Sequence, residues 1–324
     1  MASLLEVRGL TVELPTAAGA IRPVNDVSLH IAAGEALGLV GESGSGKTML
    51  ALALMGLLPA GARASGEARL AARNGTSGAA NLTNLDERSW REVRGREIAM
   101  IFQEPMTSLN PVMRVGEQIA EAVRAHNFPS GRKGYRAWAV AALARAAVPE
   151  PEVRARQFPH QLSGGLRQRA MIAMALAAEP RLLIADEPTT ALDVTVQKQI
   201  LELLDRLRRD LKLGLLFITH DLGVVAQVAD RLAVMYAGRV VEEGPAREIL
   251  ARPRHPYTEG LLAASPKLKR GALRPIPGSV PRLETLPRGC AFEPRCPLRR
   301  AECAAAVPEL RPAEPNHSAR CILV

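Results

Sequence analysis

The eight residues GESGSGKT, 41–48, restrict what this chain can fold into more than any other stretch of it. They fit the pattern G-x-x-x-x-G-K-[ST]. They follow a short apolar run, ALGLV (36–40), and open KTMLALALMGLL, which reads as a helix. Strand, glycine-rich turn and helix form the setting in which that pattern wraps a phosphate. Glycines let successive backbone N–H groups curl around an anion without side-chain clashes, and the helix adds its positive N-terminal end. Gly41, Glu42, Ser43, Gly44, Ser45, Gly46, Lys47 and Thr48 are therefore the candidate cradle. Lys47 reaches the terminal phosphates, and the Thr48 hydroxyl is placed to ligate Mg²⁺. A glycine/serine turn would match by accident in roughly one chain of this length in a hundred. Correct placement between a strand and a helix lowers that further.

The rest of the chain agrees with such a core. EIAMIF (97–102), RLLIADE (181–187), LGLLFITH (213–220) and RLAVMY (231–236) read as buried strands. They alternate with helical stretches: VGEQIAEAVRAH and RAWAVAALARAA, split by the loop NFPSGRKG (127–134), then GLRQRAMIAMALAAEP. Ile200, Leu204, Leu207 and Leu211 repeat at helical spacing. Continuous apolar strands between helices predict a largely parallel α/β sheet covered on both faces. LLIADEP (182–188) ends a strand in two acids, placing Asp186 to hold Mg²⁺ and Glu187 to polarise an attacking water. Alone, such acids would only cap a strand; a phosphate loop upstream reverses those odds. Gln103 and His220 each end a strand and are weak signals singly. They gain meaning because parallel strands bind ligands at their C-terminal ends.

Composition shifts near residue 252. Residues 252–324 carry thirteen Lys/Arg against six Asp/Glu and twelve of the 24 prolines, although the whole chain of 324 residues is only +9. A domain boundary is expected there, dividing 1–251 from 252–324. The longest apolar run, MLALALMGLLPAGA, is broken by Gly56 and Pro59 and is too short for the roughly 20 residues of a membrane span. Glu6 falls too early for a secretion signal. A cytosolic chain is expected, with any membrane role exercised through a partner.

LSGGLRQR (162–169) adds the motif that names a family. With GESGSGKT, LLIADEP, ALD (191–193) and ITHD (218–221), in that order, it resembles the ATP-binding subunit of ABC transporters over residues 4–250. The resemblance implies a P-loop NTPase (RecA-like) core with an N-terminal antiparallel β portion. It also implies an inserted helical subdomain near 106–164 and ATP with Mg²⁺ as ligands. Ser163, Gly164 and Gly165 would open a helix whose N-terminus binds the γ-phosphate of ATP held by a second subunit. Glu187 would be the catalytic base, and Gln103 would sense the nucleotide and join Thr48 and Asp186 at Mg²⁺. His220 would hold the γ-phosphate and Asp193 would link the two subunits. Lys47, Gln103, Glu187 and His220 form the expected catalytic set.

QEPMTSLNP (103–111), HPYTEGLL (255–262) and the terminal GCAFEPRC resemble the oligopeptide/dipeptide/nickel import branch, whose ATPases carry a C-terminal extension. Two membrane permeases, a second ATP-binding subunit (identical or paralogous) and an extracytoplasmic substrate-binding protein are the partners this implies. The location would be peripheral, on the cytoplasmic face of the inner membrane. The chain departs from the family at Leu14, where an aromatic usually stacks on adenine, at Leu166 for Gln, and at Thr190 for Ser. None removes a catalytic group. Import of nickel or another non-peptide solute remains an alternative cargo. A nucleic-acid ATPase is disfavoured: only 59 residues separate Gln103 from Ser163, there is one cassette, and the tail holds just Tyr257 and Phe292 as stacking aromatics.

The four cysteines, Cys290, Cys296, Cys303 and Cys321, all lie in the last 35 residues. A reducing cytosol opposes stable disulfides, and unrelated buried thiols would be scattered. Zinc suits four thiolates but usually takes C-x₂₋₄-C pairs, which are absent. An iron–sulfur cluster takes four thiolates at looser spacing. The branch resemblance points to [4Fe–4S], with zinc as rival. Arg288, Arg295, Arg299, Arg300 and Arg320 would offset the cluster's negative charge, or else form a solvated or membrane-facing surface.

Overall fold

A computed structural model describes residues 3–17, 19–73, 80–103, 108–126, 132–190, 192–265 and 274–324. The chain forms two compact units, Met1–Asn84 with Leu216–Val324, and Leu85–Leu215.

The first unit opens with β1 (Ser3–Thr16) and β2 (Gly19–Ala32), an antiparallel pair. Leu5, Val7, Leu10 and Val12 of β1 are buried while their neighbours are more exposed, the pattern of a strand with one face on the core. β3 (Ala36–Val40) is buried at all five positions and runs into the loop that precedes α1 (Lys47–Leu54). β4 (Arg63–Leu70) pairs with the other side of β1, and β5 (Ala80–Asn81) closes a sheet ordered β2-β1-β4-β5. This is the N-terminal antiparallel portion anticipated above.

The second unit contains α2 (Glu87–Val93), β6 (Ile98–Ile101), α3 (Val115–Arg124), α4 (Arg132–Arg145), α5 (Pro151–Arg154) and α6 (Gly164–Leu176). β7 (Leu182–Asp186) and α7 (Val194–Leu211) complete it. β6 and β7 are parallel, with Ile98 opposite Leu182, and every residue of both is buried. The Arg181–Glu97 ion pair at 2.7 Å ties the starts of these strands together. α7 buries Ile200, Leu203, Leu204 and Leu207 along one stripe. Asp193 caps its N-terminus by accepting from Val196 N.

The chain returns to the first unit along β8 (Gly214–Thr219), followed by α8 (Leu222–Val225), β9 (Arg231–Tyr236) and β10 (Arg239–Pro245). α9 (Ala246–Ala251), α10 (Pro256–Ala264), β11 (Arg311–Glu314) and β12 (His317–Ala319) end it. The strand order here is β11-β12-β10-β9-β3-β8, with β3 and β9 parallel. The α/β class and the buried strands therefore appear where the apolar runs place them.

The proline-rich tail is more deeply integrated than its composition suggests. β12 pairs with β10, so strand pairing joins the tail to residues before 252. Fully buried Glu242 anchors the junction: it accepts from Arg254 N at 2.6 Å and His255 N at 3.0 Å, and lies 2.7 Å from His317 Nε2. Composition reports surface character, whereas strand pairing decides what packs together. Parts of three expected features, residues 104–107, 127–131 and Ala191, lie outside the described residues; 132–134, expected in the loop, begin α4.

Candidate functional site

In the first unit, β3 and α1 hold residues 41–46 between them. Gly46 has φ +105°, and a Cβ there would collide with the Pro23 carbonyl oxygen, so only glycine fits. Lys47 is buried, with its ammonium coiled into the loop. Nζ donates to Gly41 O at 2.8 Å, Glu42 O at 2.9 Å and Ser45 Oγ at 3.2 Å. Ser45 is fully buried, whereas Ser43, Gly44 and Thr48 are exposed. An ammonium held on loop carbonyls in a glycine-rich turn that opens a helix is a cation ready to exchange those acceptors for a polyphosphate. His220, after β8, is exposed, and Asp221 beside it caps α8 through Gly223 N and Val224 N. Leu14 is half-buried in β1 opposite Ile21 and offers apolar contact only.

In the second unit, β7 ends at Asp186, which is 2% exposed. Glu187 follows in the left-handed region at φ +46°, a conformation that disfavours a side chain. Two donors converge on its Oε2: Gln103 Nε2 at 3.1 Å and Thr190 Oγ1 at 2.9 Å. The hydroxyl retained at Thr190 thus has a partner of its own. Ser163 caps α6 by accepting from Leu166 N at 3.4 Å, and Ser163 and Gly164 are exposed at that helix start. A Cβ on Gly165 would come 2.9 Å from Val196 Cγ1 on α7. Gly165 therefore permits the close approach of α6 and α7 as well as opening the helix.

The four cysteines converge. All are free thiols, and all line one cavity of about 20 Å³ with Phe292 and His255. Burial is the main effect raising the pKa values of Cys290, Cys296 and Cys321, and the neighbouring thiols raise them further. Among the described residues, no group of three or more His, Cys, Asp or Glu is placed to hold a single metal ion. The expected arginine setting needs correction at two positions. Arg295 forms an ion pair with Glu42 of the phosphate loop, and Arg320 donates to Val240 O and Pro308 O. Both are held by the protein itself rather than solvated. Tyr257, noted above as a tail aromatic able to stack on a base, instead reaches the loop, accepting from Glu42 N at 2.8 Å.

Residues 24–190 match the family model for the ABC transporter, and 241–303 match that for the oligopeptide/dipeptide transporter C-terminal region. The chain belongs to the ABC transporter family. Its ABC transporter relatives include the oligopeptide transport ATP-binding protein OppD of Salmonella typhimurium, 50% identical over 94% of this chain and 89% of that protein. The dipeptide transport ATP-binding protein DppD of Bacillus subtilis is 45% identical over 100% and 95%. Among solved structures, the ATP-binding cassette MJ0796, dimeric in a post-hydrolysis state with ADP and Pi, matches with a TM-score of 0.65. That match has 27% identity and covers 75% of this chain and 99% of the other. Among the described residues of this ABC transporter chain, no helix is long and apolar enough to cross a membrane.

Proposed function

We propose that this chain binds Mg²⁺–ATP at Gly41–Thr48 and hydrolyses it to power the import of peptides. The observation that carries this reading is the Lys47-filled phosphate loop in a chain whose C-terminal region matches the oligopeptide/dipeptide transporter model. Lys47 exchanges the loop carbonyls for the β- and γ-phosphate oxygens, and the loop N–H groups take the remainder.

Thr48, Asp186 and the amide oxygen of Gln103 are hard oxygen donors suited to Mg²⁺. The Nε2 bond to Glu187 assigns the other end of the Gln103 amide to the protein. Held by such donors, Mg²⁺ would supply charge neutralisation at the phosphates. Glu187, fixed by Gln103 and Thr190, orients a water for in-line attack on the γ-phosphate, and His220 steadies that phosphate. Ser163, Gly164 and Gly165 present the start of α6 to ATP held by a second ATP-binding subunit, and Asp193 contributes to the subunit contact.

Residues 1–251 act as the ATPase portion and 252–324 as the importer extension. The partners are two membrane permeases, a second ATP-binding subunit and an extracytoplasmic substrate-binding protein, at the cytoplasmic face of the membrane. Cys290, Cys296, Cys303 and Cys321 ligate one [4Fe–4S] cluster. Four thiols around one cavity supply its donor set, and zinc, which also takes four thiolates, is the rival. The cluster would cross-link the extension, a structural role.

Reconstitution with the permeases in liposomes tests the transport reading. ATP-dependent uptake of labelled peptide supports it, and ATP hydrolysis that peptide, binding protein and permeases leave unchanged would overturn it. Anaerobically purified protein holding iron and acid-labile sulfide supports the cluster; stoichiometric zinc would replace it.

A further inference from the structure

Glu42 is the second residue of the phosphate loop, and three of its polar groups are held from separate directions. Its carbonyl accepts from Lys47 Nζ, within the loop. Its backbone N–H donates to Tyr257 Oη, from α10. Its carboxylate receives both arms of the Arg295 guanidinium, Nη1 to Oε2 at 2.7 Å and Nη2 to Oε1 at 3.0 Å. Two of these three holds come from the C-terminal region, and Arg295 lies between Cys290 and Cys296.

The clamp is itself rigidly mounted. The Arg295 side chain is only 5% exposed; its Nε donates to Pro277 O at 2.9 Å and its Nη1 to Tyr236 Oη at 3.3 Å. Tyr236, Tyr257 and Phe292 pack ring against ring, with centroids 4.5–5.3 Å apart. Three of the chain's ten Phe, Tyr and Trp residues thus gather at one place, behind the phosphate loop.

Electrostatics explains why the loop needs this clamp. A carboxylate inside a loop that receives a triphosphate repels its own ligand. A buried, bidentate guanidinium cancels that charge and fixes the backbone that carries it. A glycine-rich loop held in shape beforehand also loses less conformational freedom on binding.

We propose that Arg295 is a positioning residue of the nucleotide site. It neutralises and orients Glu42, making the cysteine-rich extension a working part of the phosphate loop. This rests on the reading that the loop binds a nucleoside triphosphate.

The test is a Mg²⁺–ATP titration of the full chain, with steady-state kinetics in the assembled transporter. Arg295→Ala should weaken ATP binding about tenfold, because it leaves a partly buried carboxylate unpaired beside the phosphates. The KM for ATP should rise by more than kcat falls. The decisive variant is Arg295→Ala with Glu42→Gln. Removing the unpaired charge should restore part of the lost affinity, whereas a purely structural role would leave the double variant as weak as Arg295→Ala or weaker. Tyr257→Phe, which keeps the ring and removes one acceptor, should weaken binding about threefold and serves if Arg295→Ala does not fold. Unchanged affinity in Arg295→Ala, or in Tyr257→Phe if that variant must stand in, overturns the proposal. So does a double variant without recovery. Failure of the wild-type chain to bind ATP, or indifference to Lys47→Ala, would instead overturn the nucleotide reading beneath it.

Discussion

Gln103 Nε2 donates to Glu187 Oε2 at 3.1 Å, joining the end of one buried strand to the residue after another across 84 positions of sequence. The contact, with Thr190 Oγ1 on the same oxygen, fixes one carboxylate at the tip of β7. A carboxylate so fixed can orient a water, and it responds to whatever displaces Gln103.

Glu187→Gln should keep ATP binding and lose turnover. An amide retains the size and most hydrogen bonds of the carboxylate but cannot accept a proton, so kcat should fall about a hundredfold or more. Nucleotide titration alongside phosphate release checks this. Retention of most activity would remove Glu187 as the base.

Glu187→Gly should separate stability from function. Glu187 sits at φ +46°, where a Cβ costs roughly 1 kcal/mol that glycine does not incur. The glycine variant should lose turnover, yet show a resistance to denaturant equal to or above that of Glu187→Ala, which lacks the same carboxylate but keeps the Cβ. Measured stability below Glu187→Ala would show that the backbone there is unstrained.

Much of this site is legible in the sequence because its parts are local. β3, β7 and β8 are continuous apolar runs, and buried parallel strands need such runs. GESGSGKT carries its own turn chemistry, and Ser163 and Asp193 are helix-capping residues immediately before helical stretches. What stays hidden depends on distant partners. Arg295 and Glu42 are 253 residues apart, and beside cysteines an arginine reads as a counter-charge for metal. Tyr257 reads as a tail aromatic able to stack on a base until its hydroxyl is found on Glu42 N. The strain at Glu187 is equally invisible, since an acid after a strand gives no local signal of a left-handed backbone.

The extension should lose stability in mild acid through His255. This imidazole is fully buried, its Nδ1 accepts from Tyr257 N, and burial lowers its pKa to about 3 from 6.5. The unfolded chain therefore binds a proton that the folded chain refuses. His255 disfavours protonation of the fold below pH 6.5: stability is full above 6.5, falls by roughly 1.4 kcal/mol per pH unit as pH drops, and levels off near 3. His255→Asn keeps a helix-capping acceptor without the titration, so its unfolding should depend less on pH between 6 and 4. Equal pH dependence in the two proteins would contradict the assignment.

The most direct test of the account is Mg²⁺–ATP affinity measured for the wild-type chain and for Lys47→Ala. Lys47 holds the centre of the loop through Gly41 O, Glu42 O and Ser45 Oγ, and its charge faces the terminal phosphates once ATP binds. Affinity at least about tenfold weaker in the variant is the expected result. Equal affinity in both proteins would mean that nucleotide binds elsewhere or not at all, and would contradict the account at its base.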